Sequence, residues 1–126
     1  MAIIALGTMV APAIQAAALL REQYGKSITV CNARWIKPLP EKDLLELARN
    51  HKALLFVEEG TLAGGFSSAA LEFFADAGLR MPPCIRRLGL PDRFIEHGPG
   101  PALRQRYGLD AEGIVKAAKE LLKKEA

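Results

Sequence analysis

The sequence predicts an α/β fold: a three-layer α/β/α sandwich around a mostly parallel sheet. Three observations predict it. Short apolar runs alternate with stretches of helical spacing along the whole chain, the pattern that joins parallel strands through crossover helices. The run Ala53-Leu54-Leu55-Phe56-Val57 is apolar at every position, as a strand covered on both faces must be. Glycines and prolines punctuate the boundaries between these stretches, where helices stop and turns begin.

Ile3 to Leu6 reads as a first buried strand, ended by Gly7-Thr8. Thr8 is placed to cap the helix from Met9 to Tyr24, whose inward face is predicted at Val10, Ala13, Ile14, Ala17, Leu20 and Tyr24. Gly25 stops it. Ser27 to Asn32 is β-branched and apolar, a second strand. Arg34 to Pro40 is a loop, because Pro38 and Pro40 forbid helix. Glu41 to Asn50 is a short amphipathic helix with Leu44, Leu45, Leu47 and Ala48 inward. The third strand is Ala53 to Val57, closed by Glu58-Glu59-Gly60. A glycine-rich loop, Gly60 to Gly65, feeds a helix from Phe66 to Ala77 that Gly78 ends. Met81-Pro82-Pro83 breaks the chain before a fourth strand, Cys84 to Leu88. An irregular loop, Gly89 to Gly100, precedes helices over Pro101–Tyr107 and Asp110–Lys124, with Gly108 between them and Asp110 as the N-cap of the second.

The chain of 126 residues reads as one domain, with 50% hydrophobic and 25% charged residues, a balance that supports a packed core. No apolar stretch approaches the ~20 residues of a membrane-spanning helix. Net charge is +3. The densest basic cluster (Lys116, Lys119, Lys123 and Lys124) falls at the end of the last helix, where cations complement the helix dipole. Aromatics are not interleaved with it, so a stacking platform for nucleic acid is not expected. Cys31 and Cys84 form no CxxC pair and read as core thiols of a reduced, cytoplasmic protein.

Candidate chemistry is sparse. The first strand–helix turn has one glycine where a dinucleotide fingerprint needs three. Gly65-Phe66-Ser67-Ser68-Ala69 resembles a nucleophile elbow, but Ala69 replaces its second glycine, so the two hydroxyls are assigned to helix capping. Glu58 and Glu59 stand at a strand's carboxyl end, where α/β proteins collect ligands. Adjacent strand residues point to opposite faces, which makes them a poor acid–base pair. They read better as pins, tied to backbone N–H groups of the glycine loop, to an arginine such as Arg34, or to another domain. Arg34 ends the neighbouring strand, so a pair with Glu58 or Glu59 is expected. Trp35 either covers the helix that begins at Glu41 or anchors an interface. His97 is expected to latch its loop by a hydrogen bond, and His51 to face solvent at a helix end. No His, Cys, Asp and Glu set has metal-ligand spacing.

Several of these segments resemble a known family. Ile4-Ala5-Leu6-Gly7-Thr8-Met9-Val10, then Val30 to Leu39 with Arg34 and Lys37-Pro38, then Val57-Glu58-Glu59-Gly60 with Gly64-Gly65-Phe66 are similar to the C-terminal domain of transketolase-like, thiamine-diphosphate-dependent enzymes. Leu90-Pro91-Asp92-Arg93-Phe94-Ile95-Glu96-His97-Gly98 and Tyr107 to Ile114 narrow the resemblance to the 1-deoxy-D-xylulose-5-phosphate synthases. The resemblance covers essentially the whole chain.

It implies a three-domain enzyme that joins pyruvate to glyceraldehyde 3-phosphate with loss of carbon dioxide, supplying isoprenoid, thiamine and pyridoxal synthesis. Thiamine diphosphate and Mg2+ would bind between the two domains upstream, and no residue of their sites carries over to this chain. The implied role here is packing against the other domains of the same enzyme and against a homodimer mate. Arg34, Trp35, Lys37, Glu58, Glu59, Gly64, Gly65, Asp92 and His97 then have structural or interface roles. A further antiparallel edge strand is implied ahead of Met1, whose absence should promote self-association. The alternatives are the C-terminal domain of another transketolase or of a 2-oxo-acid dehydrogenase β subunit, or a free-standing binding or regulatory module.

Overall fold

The computed structural model describes residues 1–79 and 84–125; the break expected at Met81-Pro82-Pro83 lies outside them. The strands are β1 (Ala2–Ala5), β2 (Thr29–Asn32), β3 (Ala53–Thr61) and β4 (Cys84–Leu90). The helices are α1 (Val10–Tyr24), α2 (Glu41–Asn50), α3 (Phe66–Asp76), α4 (Gly100–Arg106) and α5 (Ala111–Glu125), with a single 3-10 turn at Gly7–Met9 ahead of α1. The strands form one sheet in the order β2-β1-β3-β4, with every pairing parallel. The expected α/β/α sandwich is the fold observed.

Alternation along each strand divides the core into two layers. Ile3, Ala5, Leu55 and Val57 face α1 and α5, where Ala13, Ala16, Leu20, Ile114, Ala118 and Leu121 meet them. Ala2, Ile4, Leu54 and Phe56 face α2 and α3. There Phe56 packs edge-on against Phe66, with ring centroids 5.9 Å apart, and tilted against Phe74 at 6.5 Å. The edge strand β4 sends its two arginines to opposite faces. Arg86 pairs with Glu120 of α5, and Arg87 donates to the Leu62 carbonyl at 3.0 Å and to the Ser68 hydroxyl at 3.1 Å.

Four local expectations are corrected. The inward face of α1 is Ala13, Ala16 and Leu20, while Ile14 and Tyr24 are exposed. An alanine stripe lets α1 lie close to α5, and Tyr24 instead receives a hydrogen bond from Lys119 at 2.8 Å, its ring under the ammonium. Strand β3 does not close at Glu58. After an irregularity beyond Val57 it runs on to Thr61, which pairs with Leu90. Thr8 caps no helix and sits inside the 3-10 turn. His51 does not simply face solvent: its ring bridges the Leu47 carbonyl at 3.2 Å and the Thr29 hydroxyl at 3.0 Å, tying the end of α2 to β2. The N-cap at the last helix is as expected, Asp110 accepting from Gly113 N–H at 2.8 Å.

Candidate functional site

Parallel strands put all their carboxyl ends on one edge, and the loops there carry most of the residues singled out from the sequence. Glu58 is the centre of that edge. It is 2% exposed, and its side chain turns toward the amino terminus of α3. Oε2 accepts from Phe66 N–H at 2.8 Å; Oε1 accepts from Ser67 N–H at 2.9 Å and from the Ser67 hydroxyl at 2.6 Å. Residue Gly65 occupies the N-cap position and offers no side chain. Glu58 therefore supplies the cap from eight residues upstream, its carboxyl oxygens at the positive end of the helix dipole. The capping role assigned to the Ser67 hydroxyl falls to Glu58, and Ser67 is a donor to it.

The two glycines before α3 serve different needs. Gly64 has φ +77, a left-handed conformation costly for a residue with a Cβ. Gly65 is extended, and what it needs is space: a Cβ there would strike the Thr61 carbonyl and come 2.5 Å from Glu58 Oε2. Ser68 completes the turn, donating to the Leu62 carbonyl at 2.7 Å and accepting from Gly64 N–H at 3.2 Å.

Glu59 points to the opposite face and is engaged just as fully. It accepts from the Thr8 hydroxyl and from Arg104 Nη1, the latter at 3.0 Å. The Thr8 hydroxyl above all, with Arg104 adding to it, holds the Glu59 carboxyl below its usual range. This network ties the turn after β1, the end of β3 and α4 into one edge. Thr8 and Arg104 carried no sequence signal for this role, because their partner lies 51 and 45 residues away.

The expected pairing of Arg34 with Glu58 or Glu59 is not made. Both carboxylates are consumed by nearer donors, and Arg34 is exposed with φ 60, its backbone N–H held by the Asn32 side chain at 3.1 Å. Trp35 does not cover α2: it is 63% exposed, and Ile36 and Lys37 beside it are also exposed. His97 is no latch. It is exposed and, among the described residues, makes no side-chain hydrogen bond. Its loop is held instead by Glu96, which takes the Tyr107 hydroxyl at 2.8 Å and an ion pair from Arg106. Asp92 and Phe94 in the same loop are exposed. Of the two thiols, Cys84 is buried and Cys31 half-buried; burial, with Asp43 adding, pushes the Cys31 thiol up.

The amino terminus of α3, whose N–H groups could otherwise hold an anion, is filled by Glu58. Among the described residues, no three His, Cys, Asp or Glu side chains converge as a cation needs. No helix among the described residues is long and apolar enough to cross a membrane.

With this fold and edge established, comparison with known proteins places the chain in a class. Residues 1–114 match the family model "Transketolase, C-terminal domain", and the chain belongs to that family. A solved chain described as a split gene transketolase, in an inactive beta4 tetramer, superposes with a TM-score of 0.85 at 33% identity, over 99% of this chain and 40% of its own.

The more similar sequences are of one kind. The 1-deoxy-D-xylulose-5-phosphate synthase of Nitratidesulfovibrio vulgaris is 52% identical over 120 residues, 95% of this chain and 19% of its own length. That of Thermomicrobium roseum is 51% identical over 113 residues, 90% and 18% respectively, and that of Aquifex aeolicus 46% over 121 residues, 96% and 19%. The chain thus spans about a fifth of the curated relatives it matches.

Proposed function

We propose that this chain is the non-catalytic C-terminal domain of a 1-deoxy-D-xylulose-5-phosphate synthase. In this reading the whole protein condenses pyruvate with glyceraldehyde 3-phosphate, on thiamine diphosphate and Mg2+ held by its other domains. It works in the cytoplasm as a homodimer, and this domain contributes packing to that assembly. One observation carries the non-catalytic role. Glu58 and Glu59 at the carboxyl edge of the sheet are both spent on structural partners, Glu58 on α3 and Glu59 on Thr8 and Arg104. The greater identity with the synthases than with the split transketolase favours the synthase over other thiamine enzymes.

Calorimetric titration of the chain with thiamine diphosphate and Mg2+ tests the reading. No saturable heat is expected, and tight stoichiometric binding would overturn it.

A further inference from the structure

We propose that the loops carrying Trp35, Ile36 and Phe94 form the surface on which this domain docks against the rest of its own synthase polypeptide, and that the docking partner presents apolar sockets rimmed by carboxylates. The inference rests on the domain reading above and adds to it a place and a chemistry.

Among the described residues, five large hydrophobic side chains are exposed: Ile14, Tyr24, Trp35, Ile36 and Phe94. Three of them lie in loops at the carboxyl edge of the sheet. Trp35 and Ile36 follow β2, and Phe94 follows β4. Those strands are the two outer ones of the sheet, so the anchors stand about three strand spacings, roughly 14 Å, apart. That separation is too wide for one small-molecule pocket and well within the footprint of a protein–protein patch of ~800 Å² per partner. Exposed aromatic anchors separated by satisfied polar groups are what such patches are built from. Here the ground between them holds the Thr8–Glu59–Arg104 network, in which the acid already has its partners. Covering it strands no unpaired charge.

Charge identifies the occupant. In these loops the acids Glu59 and Glu96 are committed to Arg104 and Arg106. Arg34 and Lys37 make no ion pair among the described residues, and Arg93, over the Tyr107 ring, shares the single charge of Glu96 with Arg106. In these loops cations therefore outnumber acids, with Asp92 the one acid not so engaged. A second copy of this chain meeting the face by two-fold symmetry would set the same excess of cations against itself. The rest of the polypeptide suffers no such constraint, and in the relatives it is four-fifths of the protein.

The test is a full-length chimera, the Nitratidesulfovibrio vulgaris synthase with its matching 120-residue segment replaced by this chain. Hydroxyl-radical footprinting then compares it with the isolated chain. Oxidation of Trp35 and Phe94 is expected to fall about tenfold in the chimera, as for anchors packed like a protein interior, and the protection to weaken at high salt. If other faces of the domain are protected while Trp35 and Phe94 react as in the isolated chain, the docking face is wrong and the domain reading survives. If no part of the domain gains protection, both fail. A second chimera, carrying only segments 33–40 and 90–100, gives the same readout should the first not assemble.

Discussion

Glu58 and Glu59 are neighbours on one strand and teach opposite lessons about where stability resides. Glu58 is sealed inside and joins β3 to α3 through two backbone N–H groups and a hydroxyl. Glu59 lies at the surface and joins the turn after β1, the end of β3 and α4 through one hydroxyl and one guanidinium. Both are fully partnered. They differ in what is left behind when one partner goes: around Glu58 the orphaned groups stay buried, while around Glu59 water replaces the lost bond.

The comparison breaks most sharply at the buried site. Glu58→Ala leaves two helix N–H groups and the Ser67 hydroxyl without an acceptor and opens a cavity, and should cost about 3 kcal/mol or more. Chemical denaturation of the variant checks this, and a loss under 1 kcal/mol would show that water or Ser68 takes over the cap. Arg34→Gly works in the other direction. Arg34 sits at φ 60, where glycine fits without strain, so the substitution should raise stability by about 1 kcal/mol in the isolated chain.

Glu59→Gln should cost well under 1 kcal/mol, because a pair this exposed is screened by solvent. Its pH signature is nonetheless directional. The folded-state carboxyl titrates below its ordinary value of 4.5, so the folded chain binds that proton less readily than the unfolded one. The contribution is present above the unfolded value and is lost as pH falls through the folded one. Glu96 and Glu120, also held down by hydrogen bonds and arginines, share that sign. Thermal melts should hold their midpoint through neutral pH and drop below about pH 4.5, with a smaller drop for Glu59→Gln than for the parent chain. Phe94→Ser, by contrast, should shift the melting midpoint of the isolated chain by almost nothing, since the ring is fully exposed and surface changes stay within about 0.5 kcal/mol. A large loss there would mean that the loop is packed in solution.

How far the sequence reached follows the same division between local and distant causes. Helix α2 has the bounds its amphipathic pattern predicts, and Asp110 caps α5 through a neighbour three residues on. That a glutamate here is pinned by backbone N–H groups was legible, because carboxylate, glycines and helix start are contiguous, but the groups are those of Phe66 and Ser67 in α3 and not those of the glycine loop. The continuation of β3 was hidden, since two glutamates and a glycine resemble a strand's end unless Leu90 is known to lie opposite. The face of α1 was ambiguous for a simpler reason: it is apolar nearly all the way round, so periodicity does not distinguish Ala16 from Ile14. Arg34 was misassigned because parallel-strand geometry brings it to the right edge without saying that Thr8, Arg104 and the α3 amide groups reach the acids first.

The sheet order carries a consequence for how the chain acquires its structure. Strand β1 comes first in the sequence yet is flanked by β2 and β3 in the finished sheet. Its register with β3 joins Ala2 to Leu54, a closure of about fifty residues that proximity along the chain cannot hasten. As the chain emerges during synthesis, Ala2-Ile3-Ile4-Ala5 must wait, apolar and half-paired, until the third strand arrives. That interval is the protein's window of vulnerability to aggregation, and it closes when Leu54 to Val57 completes the middle of the sheet.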